Sequence, residues 1–282
     1  MLEKAIKSVI DQHYDNVEFI ILDGGSKDKT LDIIKQYESH ITFWRSHKDN
    51  GPSEAVNEGI EKATGDLIVL LMADDWYEPE TFKAIAEAYV KHPEVDIFTC
   101  GGRIVSSDKT ELVYATAKQL DLNFYNVCFA HSAFCCQFIR KKLYDQIGPL
   151  TNFITCDKEF LLKAILLGAK NHAINHLGHN YLAHDGSSTF SKKKPNIMKL
   201  YEEHMDIAKQ LLQSKDLNEE QTKIINRWYL DNQIRFMLRT LFQTNLKKGL
   251  MLISDGFHER KIRWVVALFF TSWVILKKKI LR

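Results

Sequence analysis

Apolar residues recur at helical spacing over the first dozen positions, then give way to short continuous apolar runs punctuated by Gly, Asp and Pro. Leu2, Ala5, Ile6, Val9 and Ile10 share one face of a helix over residues 2–12. Residues 18–22 form a short apolar run that ends at Asp23-Gly24-Gly25-Ser26, the signature of a buried strand entering a turn. Asp28 is placed to cap a helix through residue 37, and residues 41–44 read as a second strand. Pro52 and Ser53 open a helix that Gly65 breaks after residue 63. The most strand-like run is 66–72, which ends at Ala73-Asp74-Asp75. Pro79 suits the first turn of a helix reaching residue 90, and residues 95–100 form a further strand.

Strands alternating with helices of about ten residues predict βαβ units and a mostly parallel sheet. Ligands of such sheets sit at the carboxyl ends of the strands. Here two strands end in carboxylates, at Asp23 and at Asp74-Asp75, so both are expected at one crevice. A doubly wound sheet ordinarily opens with a strand, whereas residues 2–12 read as its first helix; the expectation is a sheet short of its first strand, from a late start or a fragment. The pattern weakens after about Gly102. Helix returns at 157–167, closed by Gly168, and dominates from residue 196: 197–213, 218–244 and 246–257, then a basic, apolar tail.

With 45% hydrophobic and 26% charged residues, the 282-residue chain is neither disordered nor fibrous. Its net charge of +2 is too small for a general nucleic-acid coat, so no nucleic-acid partner is expected. Five cysteines, none in a CxxC pair, read as buried or free thiols. The small net charge hides an asymmetry. Residues 246–282 carry nine basic and two acidic side chains, a net +7, and the remainder is acidic. Within the tail, residues 264–276 are a continuous apolar run flanked by Arg260, Lys261, Arg263 and Lys277-Lys278-Lys279. As a helix that run covers about 20 Å, short of the roughly 30 Å of a bilayer core. The expectation is an in-plane helix over 260–282 on the cytoplasmic face of an anionic membrane, and a cytoplasmic, peripheral protein; a core or dimer-interface helix is the alternative.

Two adjacent carboxylates after an apolar strand are costly to desolvate as bare ions, and a divalent cation removes that cost. Taken alone, Asp74-Asp75 is more often a solvated turn that caps the next helix. Asp23-Gly-Gly-Ser26 is neither G-x-G-x-x-G nor a P-loop. Its glycines let a ligand approach the backbone, and its Asp can accept from a base or ribose, although a plain turn is as common. His172, His176, His179 and His184 fall within thirteen residues at no standard zinc spacing and read mostly as surface or pocket residues. His184, in His184-Asp-Gly-Ser-Ser188, reads either as part of a loop closing over a ligand or as part of a solvated loop.

Taken together the motifs become specific. Residues 2–12, the run Glu18-Phe-Ile-Ile-Leu-Asp-Gly-Gly-Ser-Lys-Asp-Lys-Thr30, Asp49-Asn-Gly51 with Ala55-Val-Asn57-Glu-Gly-Ile60, and Ala73-Asp-Asp75 occur in the order seen in family 2 glycosyltransferases, which the chain resembles from Leu2 to about Gly178. The resemblance is closest to bacterial enzymes of exopolysaccharide, capsule or lipopolysaccharide synthesis. It implies an α/β GT-A fold with helices on both faces of the sheet, in a catalytic domain over 1–190 (a nucleotide half to about 102 and an acceptor half over 103–190), followed by a helical region over 196–282. It implies an inverting transfer from a nucleotide-diphospho-sugar donor to a glycan or lipid-linked acceptor, with Mn²⁺ or Mg²⁺ as cofactor.

The same resemblance assigns roles. Asp23, Gly25 and Ser26 contact the nucleotide, Asp49 and Asn57 line its pocket, Asp74 lies near the ribose and diphosphate, and Asp75 holds the metal. Cys156-Asp157-Lys-Glu-Phe matches the family's acidic helix and makes Asp157 the general base, with Cys156 where Glu is common. His131 before Ser132 resembles a His-Gln element of the sugar pocket. A homo- or hetero-oligomer is compatible. The alternatives are a catalytically impaired scaffold subunit, against which the retained Asp23, Asp74, Asp75 and Asp157 argue, and a nucleotidyltransferase, whose Gly-rich basic loop is missing near the N-terminus.

Overall fold

The computed structural model describes residues 1–106, 110–113, 120–130, 134–152, 154–187, 197–214 and 216–243. The chain divides into two compact units, Met1–Lys193 and Lys194–Arg282. His131, the helix expected over 246–257 and the tail over 260–282 lie outside the described residues.

The first unit runs α1 (Leu2–Ile10), β1 (Ile20–Asp23), α2 (Thr30–Gln36), β2 (Phe43–Ser46), α3 (Pro52–Lys62), β3 (Leu67–Ile68), β4 (Trp76–Tyr77), α4 (Thr81–Lys91), β5 (Ile97–Val105), β6 (Thr110–Val113), α5 (Phe124–Phe129), β7 (Gln137–Arg140), α6 (Lys141–Ile147), α7 (Cys156–Leu166) and β8 (Asn171–Leu182). β1 and β2 pair in parallel as a separate two-stranded sheet. The other strands form a six-stranded sheet in the order β3-β7-β5-β8-β4, with β6 on β5.

The expectation of a mostly parallel sheet is corrected. In the larger sheet only β5 and β8 pair in parallel; β3 with β7, β5 with β7, β5 with β6 and β4 with β8 are antiparallel. The apolar run over 66–72 contributes only Leu67 and Ile68 to a ladder. Val69 and Leu71 instead pack their side chains on the core.

The core lies where α1 and α4 cover the sheet. Ala5, Ile6 and Val9 bury the apolar face of α1, and Val9 joins Phe82, Ile85 and Ala88 of α4 in one cluster with Tyr77, Phe98, Cys100 and Phe138. Complete burial of a side chain such as Phe98 contributes about 1.5–3 kcal/mol. Gln12 fastens these elements: its Nε2 donates to Ser8 and Glu78 carbonyls, and its Oε1 accepts from the Phe82 N–H. Gly178 lets β8 approach closely, since a Cβ there would stand 2.7 Å from the Cys100 Sγ. Gly168, at φ +77°, ends α7 as its sequence position implies.

The second unit contains α8 (Ile197–Gln213) and α9 (Glu219–Gln243), which pack on each other. Ile207, Ala208, Ile225, Trp228 and Ile234 fill their contact, with His204 stacked on Trp228 and bonded to Asn232. Among the described residues no helix is long and apolar enough to cross a membrane.

Candidate active site

β1 delivers Asp23 to the start of a tight turn. Its carboxylate accepts from the Gly25 and Ser26 N–H groups (3.0 and 2.9 Å), the Ser26 hydroxyl and the Ser46 hydroxyl (2.6 Å). Burial pushes this carboxyl up, but the hydrogen bonds from Ser26 and Ser46 outweigh burial and hold it below its ordinary value. Gly25 sits at φ +86°, and a side chain there would crowd the Lys48 N–H. The turn is therefore built by Asp23, and the N–H groups of Gly25 and Ser26 serve that construction.

Arg45, on β2, backs the turn from inside the protein. Its guanidinium donates to the Asp23 carbonyl (2.7 Å), to Asp49 Oδ2 (3.2 Å) and to Glu58 (2.8 Å). Buried between two carboxylates, it keeps both from being stranded as bare charges. Asp49 also accepts from the Gly51 N–H, and its carboxylate lies 3.4 Å from where a Cβ of Gly24 would stand. Asp49 thus abuts the Asp23 turn.

α3 begins just beyond. Ser53 in its first turn hydrogen-bonds Cys156 at the start of α7, so the Asp49 turn and Asp157 are neighbours across that contact. Burial, then the adjacent Asp157 carboxylate, pushes the Cys156 thiol up to about 11. Asp157 is half-buried in the first turn of α7, where the helix dipole favours its charge. Asn57, expected to line the nucleotide pocket, also fastens the backbone. Its amide donates to the Leu150 carbonyl and accepts from the Leu150 N–H, clasping α3 to the loop after α6. A cavity of about 790 Å³ lies beside that clasp, lined by Ser53, Asn57, Tyr144 and Leu150 but by none of the four expected acids Asp23, Asp74, Asp75 and Asp157.

Asp74 and Asp75 precede β4 and diverge. Asp74 is partly exposed and meets His184 Nε2 at 2.8 Å. Because the Gly186 N–H donates to His184 Nδ1, Nε2 carries the proton toward Asp74. The Ser187 hydroxyl, which accepts from the His184 N–H and donates to the Leu182 carbonyl, closes this loop on itself. Asp75 is buried: Oδ1 accepts from the Leu182 N–H at 3.0 Å, and Oδ2 faces His179 Nε2 at 3.4 Å with no hydrogen bond. Asp75 was expected to hold the metal; Asp74 is the acid of the pair open to solvent. An oxygen from Asp74 beside an imidazole of comparable exposure suits Mn²⁺ or Mg²⁺, which take carboxylate and water.

The thiol of Cys135, in the short 3-10 turn Phe134–Cys136, reports how these groups converge. Burial raises it first, and the charges of Asp75, Asp157 and Asp74 raise it further. One partly buried thiol thus feels all three carboxylates. Asp23 and Asp49 thus share one turn, Asp74 and Asp75 meet His184 and His179 at another, and Asp157 opens α7 beside the Ser53–Cys156 contact. Arg45 is not singled out by the sequence, Cys135 reads there only as one of five buried or free thiols, and His179 reads with three other histidines mostly as a surface or pocket residue, whereas it is buried. A lone Arg in the strand run Phe43–Ser46 was the available signal for the first. For His179, the period of two along β8 offered only a weak one.

A profile described as glycosyl transferase family 2 matches residues 1–148. An uncharacterized glycosyltransferase of Mycobacterium tuberculosis is 31% identical over 172 residues, covering 59% of this chain and 64% of its own length. A PGL/p-HBAD biosynthesis glycosyltransferase of Mycobacterium bovis is 30% identical, covering 53% and 57%. The chain thus spans less than two thirds of the length of these relatives. Among solved structures, S. aureus TarS (residues 1–349) superposes with a TM-score of 0.66 at 17% identity, over 90% of this chain and 74% of TarS. The mannosyltransferase PcManGT from Pyrobaculum calidifontis, solved with GDP-Man and Mn²⁺, superposes at 0.59 with 13% identity, over 97% and 81%. The fold is accordingly the GT-A glycosyltransferase fold.

The Asp23 turn yields a stability prediction. Asp23→Asn turns an acceptor-only group toward four donors and lowers stability at pH 7 by about 1–3 kcal/mol. The folded carboxyl titrates below its ordinary 3.8, so its contribution is complete above that value and is lost as pH falls through the lower folded one. Urea titrations are expected to show a wild-type advantage that is flat above about pH 5 and shrinks below about pH 4. An advantage undiminished at the acid end contradicts this assignment.

Proposed function

Because the chain belongs to glycosyl transferase family 2, we propose that it moves a sugar from a nucleoside-diphospho-sugar to a glycan or lipid-linked acceptor of the cell surface, inverting the anomeric centre. The family match, with Asp74 on His184 and Asp75 beside it in the turn before β4, carries this reading. Neighbours solved with UDP-GlcNAc and with GDP-Man and Mn²⁺ support a donor and a cation of this kind.

The division of labour follows from exposure. Asp23 and Asp49 form a rigid wall for the nucleoside, with an oxygen of Asp23 available to a base N–H. Asp74, beside His184, is the acid open to a hard cation, and Asp75 lies buried behind it. Bound Mn²⁺ or Mg²⁺ supplies neutralisation of the charge that grows on the leaving diphosphate. Asp157 takes the proton of the attacking hydroxyl as the general base of an inverting transfer. Asp157→Asn is expected to leave donor binding intact while turnover falls by roughly 10²-fold or more. NMR of the product is expected to show the inverted anomer. Equal losses of binding and turnover, or a retained anomer, overturn the assignment.

We also propose that the tail over 260–282 docks the enzyme on the cytoplasmic face of an anionic membrane, next to a lipid-linked acceptor. Its basic flanks around the apolar run of 264–276 support this. The full chain is expected to float with anionic vesicles at low salt. Flotation that survives removal of 260–282, or no flotation, refutes it.

A further inference from the structure

We propose that Asp75, Cys135 and His179 form a binding site for one zinc-type cation, distinct from the hard cation of sugar transfer. Asp75 is 1% exposed and His179 3%, yet Asp75 Oδ2 and His179 Nε2 face each other with no hydrogen bond to any group. Each such buried orphan costs about 1–3 kcal/mol. Their separation of 3.4 Å is poor for a hydrogen bond. It matches the edge of a tetrahedron whose centre lies about 2.0–2.1 Å from each atom, the bond lengths of zinc to nitrogen and carboxylate oxygen. The Cys135 sulfur lies within 4.8 Å of both; a tetrahedral site asks for about 3.5 Å, which a small movement of one side chain supplies.

The donor set selects the metal. Thiolate, imidazole and carboxylate suit Zn²⁺ and Co²⁺, whereas Mg²⁺ keeps an all-oxygen, largely hydrated shell. The electrostatics agree in sign. Burial and the three nearby carboxylates hold the proton on Cys135, and a cation at its sulfur reverses that balance. On binding, the S–H bond breaks, a metal–sulfur bond forms and the proton leaves to solvent. The ligands are already oriented: the Leu182 N–H fixes Asp75 Oδ1 and so aims Oδ2, and the His179 ring lies edge-on to Tyr77. Cys135 is only half-buried, leaving an approach for the ion and a fourth position for water. An occupied site would tie the turn before β4, the 3-10 turn before β7 and strand β8 into one unit directly behind Asp74. It would act on the transfer site as a structural clamp.

The full chain, stripped of metal and titrated with Co²⁺ under reducing conditions, tests this. Wild type is expected to bind one equivalent with a near-ultraviolet thiolate-to-cobalt band and tetrahedral visible bands, all displaced by one equivalent of Zn²⁺. Cys135→Ser is expected to abolish the thiolate band. Cys135→Ser and His179→Gln are each expected to weaken binding by at least about 100-fold. The Asp74→Asn/His184→Ala double variant is expected to keep the band. In wild type, Zn²⁺ is further expected to protect Cys135 from alkylation, read by peptide mass spectrometry, a measurement that needs no variant to fold. No thiolate band in wild type, a band that survives Cys135→Ser, loss of the band in the Asp74/His184 variant, or Cys135 alkylated as fast with Zn²⁺ as without it overturns the proposal.

Discussion

Negative charge gathered at the strand ends is the constraint to which the rest of the first unit answers. Asp23 and Asp49 share one turn, Asp74 and Asp75 another, and Asp157 opens α7, and a desolvated carboxylate without a partner is costly. Each is compensated differently. Asp23 accepts from four donors, Asp49 leans on Arg45, Asp74 meets a protonated imidazole nitrogen, Asp157 rests on a helix N-terminus, and Asp75 has one backbone N–H and an unbonded histidine. The compensation is most complete at Asp23. It is least complete at Asp75, whose Oδ2 has no hydrogen bond.

That gradient also explains the mixed topology. Holding Asp75 requires the Leu182 N–H at the end of β8, so β8 must run past the turn before β4 and pair with it antiparallel. Gly178 permits the approach, because any side chain there would strike Cys100 and Thr81. Arg103 on β5 then reaches Asn180 and Glu78, fastening the same corner from the next strand.

Much of this was legible in the chain. The alternation of strand and helix to residue 100 and the acids at the ends of two apolar runs are local patterns, and the structure sets Asp23 beside Asp49 and Asp74 on His184. What escaped depends on long-range pairing. The run over 66–72 reads as a full strand because its residues are apolar, but its ladder partner β7 begins at Gln137, seventy residues on, and matches only Leu67 and Ile68. Asn57 carries the right motif, yet its amide is taken by Leu150, ninety-three positions away. Arg45 and His179 are charged or titratable residues in strands, and only the fold shows that each is buried against a carboxylate.

The central claim is that the Asp74–Asp75 turn and the Asp23 wall form one site for a nucleoside diphosphate and a hard cation. Electron paramagnetic resonance of Mn²⁺ with the full chain tests it most directly. The account predicts that UDP or GDP tightens Mn²⁺ binding and that Mn²⁺ tightens nucleotide binding by the same factor, a coupling that Asp74→Asn removes. Nucleotide binding unchanged by Mn²⁺, or coupling that survives Asp74→Asn, would contradict it.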